Sequence, residues 1–337
     1  MSRRRPTLKD VAARAGVGTA TVSRVLTGNG YTSLQARERI VAAAEELGYR
    51  PSGLARGLKL QRTEALGLLV ADITNPFYSY VASGALEAAG EAGHHLILCA
   101  TNEDPKMESE YIDVLLESRV DGIVAVPTGA NLEQWEHVVE FGVQLVLIDR
   151  ELEGVAGIPS ITVDNRGGAL AATEHLLALG HRRIAIVSGP RDTTTGGERL
   201  RGYLDAHARA GVPVDEGLIR DGSFMREQAA VAARELLAAE PTAVFAANNV
   251  LGEVALTAIH EAGLSIPDDV SLVVFDDVAW TRQMTPAITA VAQPMDRLGR
   301  VGVERLLEAL GRRPGDGLPT RLPVELIVRD STRPPKR

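Results

Sequence analysis

The stretch TLKDVAARAGVGTATVSRVL, residues 7–26, decides how the rest of the chain is read. It spells two short helices joined by a tight turn. Thr7 can cap the first helix, with Asp10 three residues on, an acidic version of the capping-box spacing. Val11, Ala12 and Ala15 fall on one helical face. Gly16 sits where the chain must turn sharply and where a side chain would obstruct the second helix. Gly18 is placed to cap that helix, less well than serine would. Val22, Val25 and Leu26 supply its inward face, whereas Thr19, Ala20, Thr21, Ser23 and Arg24 are short or polar. A helix with so slim an outer face and an exposed N-terminus fits a DNA major groove. An ordinary helical hairpin is the plainer alternative.

Working outward, Arg3–Arg5 form a basic arm suited to phosphate. After the paired helices comes the turn-rich Gly28–Ser33, and Ser33 caps a third helix, Leu34–Leu47, that stops at Gly48. Ile40, Val41, Ala44 and Leu47 recur at helical spacing and are expected to complete a three-helix core. Pro51–Lys59 has helix-like spacing but carries Gly53 and Gly57, each costing about 1 kcal/mol relative to Ala. It reads as a hinge that is loose alone and helical on DNA, or else as a plain linker.

The charge is divided. Formal net charge is −8 over 337 residues, which taken alone argues against nucleic acid. Residues 1–62, however, hold twelve Lys/Arg against four acids, while the remainder holds 24 basic against 40 acidic residues. A basic head on an acidic body assigns phosphate contact to the head. The single cysteine, Cys99, excludes an intrachain disulfide framework and fits a reducing, cytoplasmic setting; its apolar run makes it a buried small hydrophobe. The basic start lacks an apolar segment typical of a signal peptide, and no apolar run approaches the ~20 residues needed to span a bilayer.

From about Thr63, apolar runs alternate with helical stretches. The runs are Ala65–Ala71, His95–Ala100, Gly122–Val126, Leu145–Ile148, Ser160–Val163, Ile184–Val187, Ala243–Ala247 and Val270–Phe275. Between them lie Pro76–Ala92, Pro105–Ser118, Leu132–Phe141, Asn165–Leu179, Glu198–Ala210, Arg226–Leu237 and Gly252–Ala262. This alternation predicts α/β architecture with parallel sheets, too long for one compact sheet and so split into two lobes near Val163–Asn165. Ile288–Ala292, Met295–Leu310 and Leu322–Val328 are expected to cross back between lobes. Trp135 reads as surface packing on an amphipathic helix. Trp280 either lines the cleft or faces a partner subunit. His175 and His181 read as a polar helix end and its loop.

Enzyme signatures are missing: no Gly-Lys P-loop, no G-x-G-x-x-G after a core strand, no H-E-x-x-H, no C-x-x-C and no G-x-S-x-G. No enzyme activity, cofactor or metal is expected. Polar residues instead recur where strands end, the edge at which α/β sheets bind ligands. Asp72 and Asn75-Pro76-Phe77, Asp149-Arg150, Thr193–Thr195 with Arg199, Asn248-Asn249, Asp276-Asp277 and Gln293 all fall there. Carboxylates, amides and a guanidinium suit a polyhydroxylated ligand, whose hydroxyls both donate and accept.

The helix pair resembles the helix-turn-helix of the LacI/GalR family of bacterial transcriptional regulators, and the two-lobed remainder resembles that family's type I periplasmic-binding-protein-like core. The resemblance covers essentially the whole chain. It implies a helix-turn-helix head at 1–50, a hinge helix at 51–62, an effector-binding and dimerisation core at 63–330 and a tail at 331–337. Within the core it places one lobe at about 63–163 plus 294–325 and the other at 164–293 plus 326–330. It implies DNA contacts from Thr7, Thr19, Ala20, Thr21, Ser23 and Arg24, and from Ala55, Arg56 and Leu58, with Leu58 wedging a minor-groove step. Ile73–Phe77 looks like the family's I-x-N-P-F segment. Arg199 matches its R-x-x-G-aromatic arginine, and Asp276 its F/Y-D-D aspartate. Phe77, Asp149, Thr195, Phe224, Asn248 and Gln293 fall on effector-contact positions, although Phe77 and Phe224 also suit packing. The tail has no leucine heptads, so a homodimer is expected rather than a tetramer. The implied function is a repressor that binds a pseudo-palindromic double-stranded operator under control of a sugar-like effector. A ligand-dependent activator or corepressor-type regulator is the alternative, and a sugar-binding protein without regulatory role is a remoter one.

Overall fold

The computed structural model describes residues 6–26, 32–49, 63–155, 157–223, 226–311 and 320–336. The chain separates into two compact units, Met1–Glu64 and Ala65–Arg337.

In the first unit, helices α1 (Leu8–Ala15), α2 (Thr19–Leu26) and α3 (Leu34–Leu47) enclose a small core centred on Val11, Val22 and Ile40. Thr7 starts α1 with a complete capping box: its N–H donates to the Asp10 carboxylate at 2.7 Å while its Oγ1 accepts from the Asp10 N–H at 3.4 Å. Gly16 ends α1 at φ +67°, a left-handed conformation that a side chain would strain. Gly18 contributes only its carbonyl to α2, accepting from Thr21 and Val22. Val41 corrects the expected core: it is 40% exposed, because Ile40 takes the inward position and its sequence neighbour lies about 100° away around α3.

The second unit is two doubly wound lobes. The first sheet has the order β11-β5-β4-β3-β1-β2, from β1 (Ala65–Val70), β2 (His95–Ala100), β3 (Gly122–Ala125), β4 (Gln144–Ile148), β5 (Ser160–Val163) and β11 (Arg321–Leu322). The second has the order β12-β10-β9-β8-β6-β7, from β6 (Ile184–Ser188), β7 (Ile219–Asp221), β8 (Ala243–Ala246), β9 (Ser271–Phe275), β10 (Thr289–Ala292) and β12 (Glu325–Ile327). Among the described residues all pairings are parallel except β10 with β12, which departs from the all-parallel expectation. The run Leu322–Val328 is therefore two short strands, one in each sheet, separated by Pro323, which has no N–H to continue a ladder. The chain passes between the lobes at Val163–Asn165, between β10 and Met295, and between β11 and β12.

The helices are α4 (Pro76–Glu91), α5 (Pro105–Glu117), α6 (Leu132–Glu140), α7 (Asn165–Ala178), α8 (Thr194–Ala210), α9 (Arg226–Ala238), α10 (Asn249–Glu261), α11 (Ala279–Gln283) and α12 (Met295–Ala309). Two begin earlier than their apolar spacing suggests, because polar caps and not hydrophobes start them. Thr193 accepts from Gly196 N at the head of α8, and Asn248 accepts from Leu251 N at the head of α10. Helices α4 and α12 meet backbone to backbone: a Cβ on Gly84 would lie 1.9 Å from the Asp296 carbonyl oxygen, and one on Gly299 1.9 Å from that of Val81.

One expectation changes here, and two further segments gain a defined place. Trp135 is fully buried, packed with Leu115, Ile123 and Leu145 on the inward face of α6. Trp280 is not among the residues that line the cleft; its side chain packs, partly buried, against the apolar clusters of both lobes. The segment after Val328 packs onto the second lobe. Ser331 is fully buried, with its Oγ donating to the Leu272 carbonyl at 2.6 Å and accepting from Thr289 N at 2.8 Å. His181 is buried beneath it, hydrogen-bonded to Thr242, Ser271 and the Arg333 carbonyl, and burial holds its pKa below the usual imidazole value.

Candidate effector site and DNA-facing helix

Parallel winding aligns the carboxyl ends of strands on one edge of each sheet. In the second unit those edges face each other across a cavity of about 430 Å³, a volume within the ordinary range for small-molecule sites. Phe77, Asp149, Thr195, Arg199, Asn248, Asp276 and Gln293 all line it. Phe224 lies outside the described residues, as do Ala55, Arg56 and Leu58.

Asp276 follows β9 at φ +82°, buried to 2% exposure. One carboxylate oxygen accepts from both the backbone and the side-chain N–H of Asn249, at 3.1 and 3.0 Å; the other accepts from the Gln293 amide. Asp277, next in sequence, turns away to form a two-point ion pair with Arg329 at 2.8 and 2.9 Å, reinforced by the Thr281 hydroxyl at 2.7 Å. Burial pushes its carboxyl upward, but these bonds outweigh it and hold the pKa below the usual value. The Asp-Asp dipeptide is thus divided between the cavity and the frame behind it.

Arg199, on α8, is 4% exposed. Its Nε donates to the Asn165 side chain at 2.8 Å and its Nη1 to the Ala247 carbonyl at 2.6 Å, while its guanidinium lies 3.8 Å over the Phe275 ring. Burial lowers its pKa against the raising influence of Asp276 and Asp149.

On the facing lobe, Asp149 ends β4 at φ +67°. It accepts from the Tyr78 hydroxyl at 3.0 Å. Burial raises its pKa; Arg150, Arg199 and the Tyr78 bond pull it back only in part. Tyr78 is held well above the usual phenol value, first by burial and then by the Asp149 charge. Arg150 forms a two-point pair with Glu103 at 2.8 and 2.6 Å. Hydrogen bonds among the described residues bridge the lobes, among them Asn249 Nδ2 to Asn75 Oδ1 at 2.9 Å, Glu151 N to Thr194 Oγ1 at 3.1 Å and Arg321 to Glu198 at 3.2 Å.

Tyr78 and Glu103 also line the cavity, and Asn165 and Asn249 support it from behind through Arg199 and Asp276. Asn249 carries a signal, adjacent to Asn248 at a strand end. Glu103 and Asn165 carry none, because their partners are far away in sequence. On the cavity wall Asp149 Oδ1, Thr195 Oγ1 and Gln293 Oε1 are buried polar atoms with no protein partner. Buried polar atoms normally find partners, so a row of unsatisfied ones on a cavity wall marks a place for a polar ligand. Among the described residues, no group of three or more His, Cys, Asp or Glu could hold a metal ion, and no helix is long and apolar enough to cross a membrane.

In the first unit, Thr19, Ala20 and Arg24 are exposed on α2, with Thr21 and Ser23 half-buried beside them. Thr7, half-buried, is engaged in the α1 cap.

Comparison with known proteins joins the two units. Residues 7–52 match the family of bacterial regulatory proteins of the lacI type, and residues 63–326 match the periplasmic binding proteins and sugar-binding domain of the LacI family. A ribose operon repressor of Halalkalibacterium halodurans is 33% identical over 329 residues, 97% of each chain. The solved complex of the transcriptional regulator CelR with cellobiose is 34% identical, with a TM-score of 0.73 over 97% of this chain and 100% of the other. The lac repressor dimer bound to operator and the anti-inducer ONPF is 26% identical, with a TM-score of 0.82 over 98% of this chain and 100% of that one. A two-lobed cleft and a helix-turn-helix head on one chain, matched over nearly full length, establish that the chain belongs to the LacI family of bacterial regulatory proteins.

Proposed function

We propose that the protein is a sequence-specific DNA-binding repressor, acting as a homodimer on a pseudo-palindromic operator and controlled by a sugar-like effector. The carrying observation is the cavity of the second unit: a ligand-sized, polar-lined space with unsatisfied buried atoms, on the same chain as a helix-turn-helix whose α2 exposes Thr19, Ala20 and Arg24. Relatives named for ribose-operon repression, cellobiose binding and operator binding support both halves. Two-fold symmetry in such a dimer imposes two-fold symmetry on the site it reads. A dimer surface is available where the edge strand β2 and helix α4 leave Leu98, Tyr80 and Leu86 40–51% exposed.

In this reading Phe77, Asp149, Thr195, Arg199, Phe224, Asn248, Asp276 and Gln293 contact effector. Thr19, Ala20 and Arg24 read bases, with Thr7, Thr21 and Ser23 at the backbone and Ala55, Arg56 and Leu58 in the hinge. Effector closes the lobes and thereby disfavours the DNA-bound form, with a coupling typically of ~1–3 kcal/mol. The test is selection of DNA from a random library by the intact protein, then footprinting with and without sugars. A two-fold-symmetric site released by a sugar is the expected result; absence of any preferred site overturns the reading.

A further inference from the structure

The end of the chain reaches back to the cavity. Asp276 stands at φ +82°, in the left-handed region, which an L side chain enters at a cost and keeps only where its surroundings enforce it. Its own bonds supply part of that enforcement. Its N–H donates to the Val291 carbonyl at 2.9 Å, and its carboxylate accepts from Asn249 and Gln293. The peptide that follows is fixed by the next residue.

Asp277 is buried, and its two carboxylate oxygens accept from Arg329 Nη1 and Nη2 at 2.8 and 2.9 Å. The Thr281 hydroxyl adds a third bond at 2.7 Å, whereas Arg282, half exposed, comes only to 3.4 Å. Arg329 is itself fixed from behind. Its Nη1 also donates to the Ile288 carbonyl at 2.7 Å, and its backbone N–H donates to Thr289 Oγ1 at 3.0 Å. The guanidinium is thus a planar fork braced against the start of β10, a geometry that a lysine cannot reproduce. The side chains of Asp276 and Asp277 point to opposite sides, one into the cavity and one into this fork, so anchoring the second sets the direction of the first. Arg329 is not among the residues that line the cavity.

Resting on the reading of Asp276 as an effector contact, we infer that Arg329 is a positioning residue for effector recognition: through Asp277 it holds Asp276 in its left-handed conformation, so that the last segment of the chain sets the affinity of a site it does not touch.

A purely structural ion pair would only fasten that segment to the second lobe. The two roles separate at one amide. Asn249 is the first residue of α10, so its N–H has no partner within the helix and donates to Asp276 Oδ2 at 3.1 Å. Its exchange with solvent reports where that carboxylate stands. Leu251, at the same helix end, is capped instead by Asn248 Oδ1 at 2.7 Å and serves as the reference.

The test follows hydrogen exchange residue by residue in the intact protein. In Arg329→Met and in Asp277→Asn the Asn249 amide should exchange about 10-fold faster or more relative to Leu251, and in Arg329→Lys by less. In Ser331→Ala, which loosens the same segment without touching Asp277, the ratio should stay at the parent value. Combining Asp277→Asn with Arg329→Met should add nothing to either change alone, because both remove one pair. Ribose and cellobiose are titrated into the same preparations. A sugar that binds the parent should bind Arg329→Met about 10-fold or more weakly, with Arg329→Lys between the two. An unchanged exchange ratio in both Arg329→Met and Asp277→Asn overturns the inference, whether or not either sugar binds. So does a Ser331→Ala protein that shifts the ratio as far as Arg329→Met. A raised ratio with undiminished sugar affinity overturns instead the reading of Asp276 as an effector contact, and with it the part of Arg329 in recognition.

Discussion

Asn249 of one lobe donates its side-chain amide to Asn75 of the other at 2.9 Å, and donates the same group to Asp276 on its own lobe at 3.0 Å. Asn75 in turn accepts from Phe77 N at 3.0 Å, capping α4. One buried amide thus links the cavity carboxylate, the lobe contact and the start of a core helix. Asn249→Ala should lower the affinity for a sugar effector about 10-fold and destabilise the fold by about 1–3 kcal/mol, because Asp276 and Asn75 both lose a donor in a buried setting. Titration and chemical denaturation check it.

Asp149 gives a pH signature. Its folded pKa is raised, mainly by burial, so the folded state holds its proton more tightly than the unfolded chain. The sign follows: the group's effect on stability is neutral at low pH and becomes unfavourable as pH rises from about 4 through the folded value. Every tenfold by which the folded chain binds this proton more tightly costs about 1.4 kcal/mol once both states are ionised. Asp149→Asn should therefore gain stability over the parent as pH rises from 4 to 7, measured as the difference in melting temperature. A difference that stays flat would show that the carboxyl is not held above its ordinary value.

The close approach of α4 and α12 at Gly84 and Gly299 should tolerate no side chain. A Cβ at either position meets a carbonyl oxygen at 1.9 Å. Gly84→Ala or Gly299→Ala should push α4 and α12 apart, at about 1–3 kcal/mol or more. A melting temperature lower by several degrees is the expected result.

Ser331→Ala should cost about 1–3 kcal/mol, since it leaves the buried Thr289 N–H and Leu272 carbonyl each short of a side-chain partner. Denaturant unfolding of the two proteins measures it.

On the DNA side, exchanging Thr19 and Ala20 for other residues should change which sites are selected from a random library. Both are exposed at the first turn of α2 and neither is in the buried core. A uniform weakening over all sequences would assign them to backbone contact instead.

Much of the architecture is legible in the sequence because apolar runs and caps are local. His95–Ala100 and Ser160–Val163 match their strands residue for residue, and Thr7 and Ser33 cap the helices whose starts they mark. The candidate site is legible as a set of residues, since parallel winding gathers strand ends at one edge. Its wiring is not. That Arg199 rests on Asn165, or that Arg150 is taken by Glu103, depends on pairings between segments far apart, which no spacing rule encodes. Trp135 and Val41 depart from expectation for a related reason: on a short helix with several apolar residues, the face that turns inward is chosen by what it packs against. The docking of the segment after Asp330 leaves no signal in its sequence, because its hydrogen bonds go to the distant Leu272, Thr289 and His181.

The three passages of the chain between lobes have a bearing on synthesis. The core of the first lobe includes Val301, Leu306 and Leu307 of α12, and its sheet is edged by β11, both near the end of the chain. The second lobe, by contrast, has five of its six strands from the single stretch between β6 and β10. On the ribosome the first lobe begins emerging early but cannot close until almost everything else has been made, so the apolar face of α4 waits uncovered while the second lobe assembles. The first lobe cannot be cut out as one continuous segment and keep its core. A free-standing first lobe would need α12 and β11 joined directly behind β5, without the second lobe that the natural chain inserts between them.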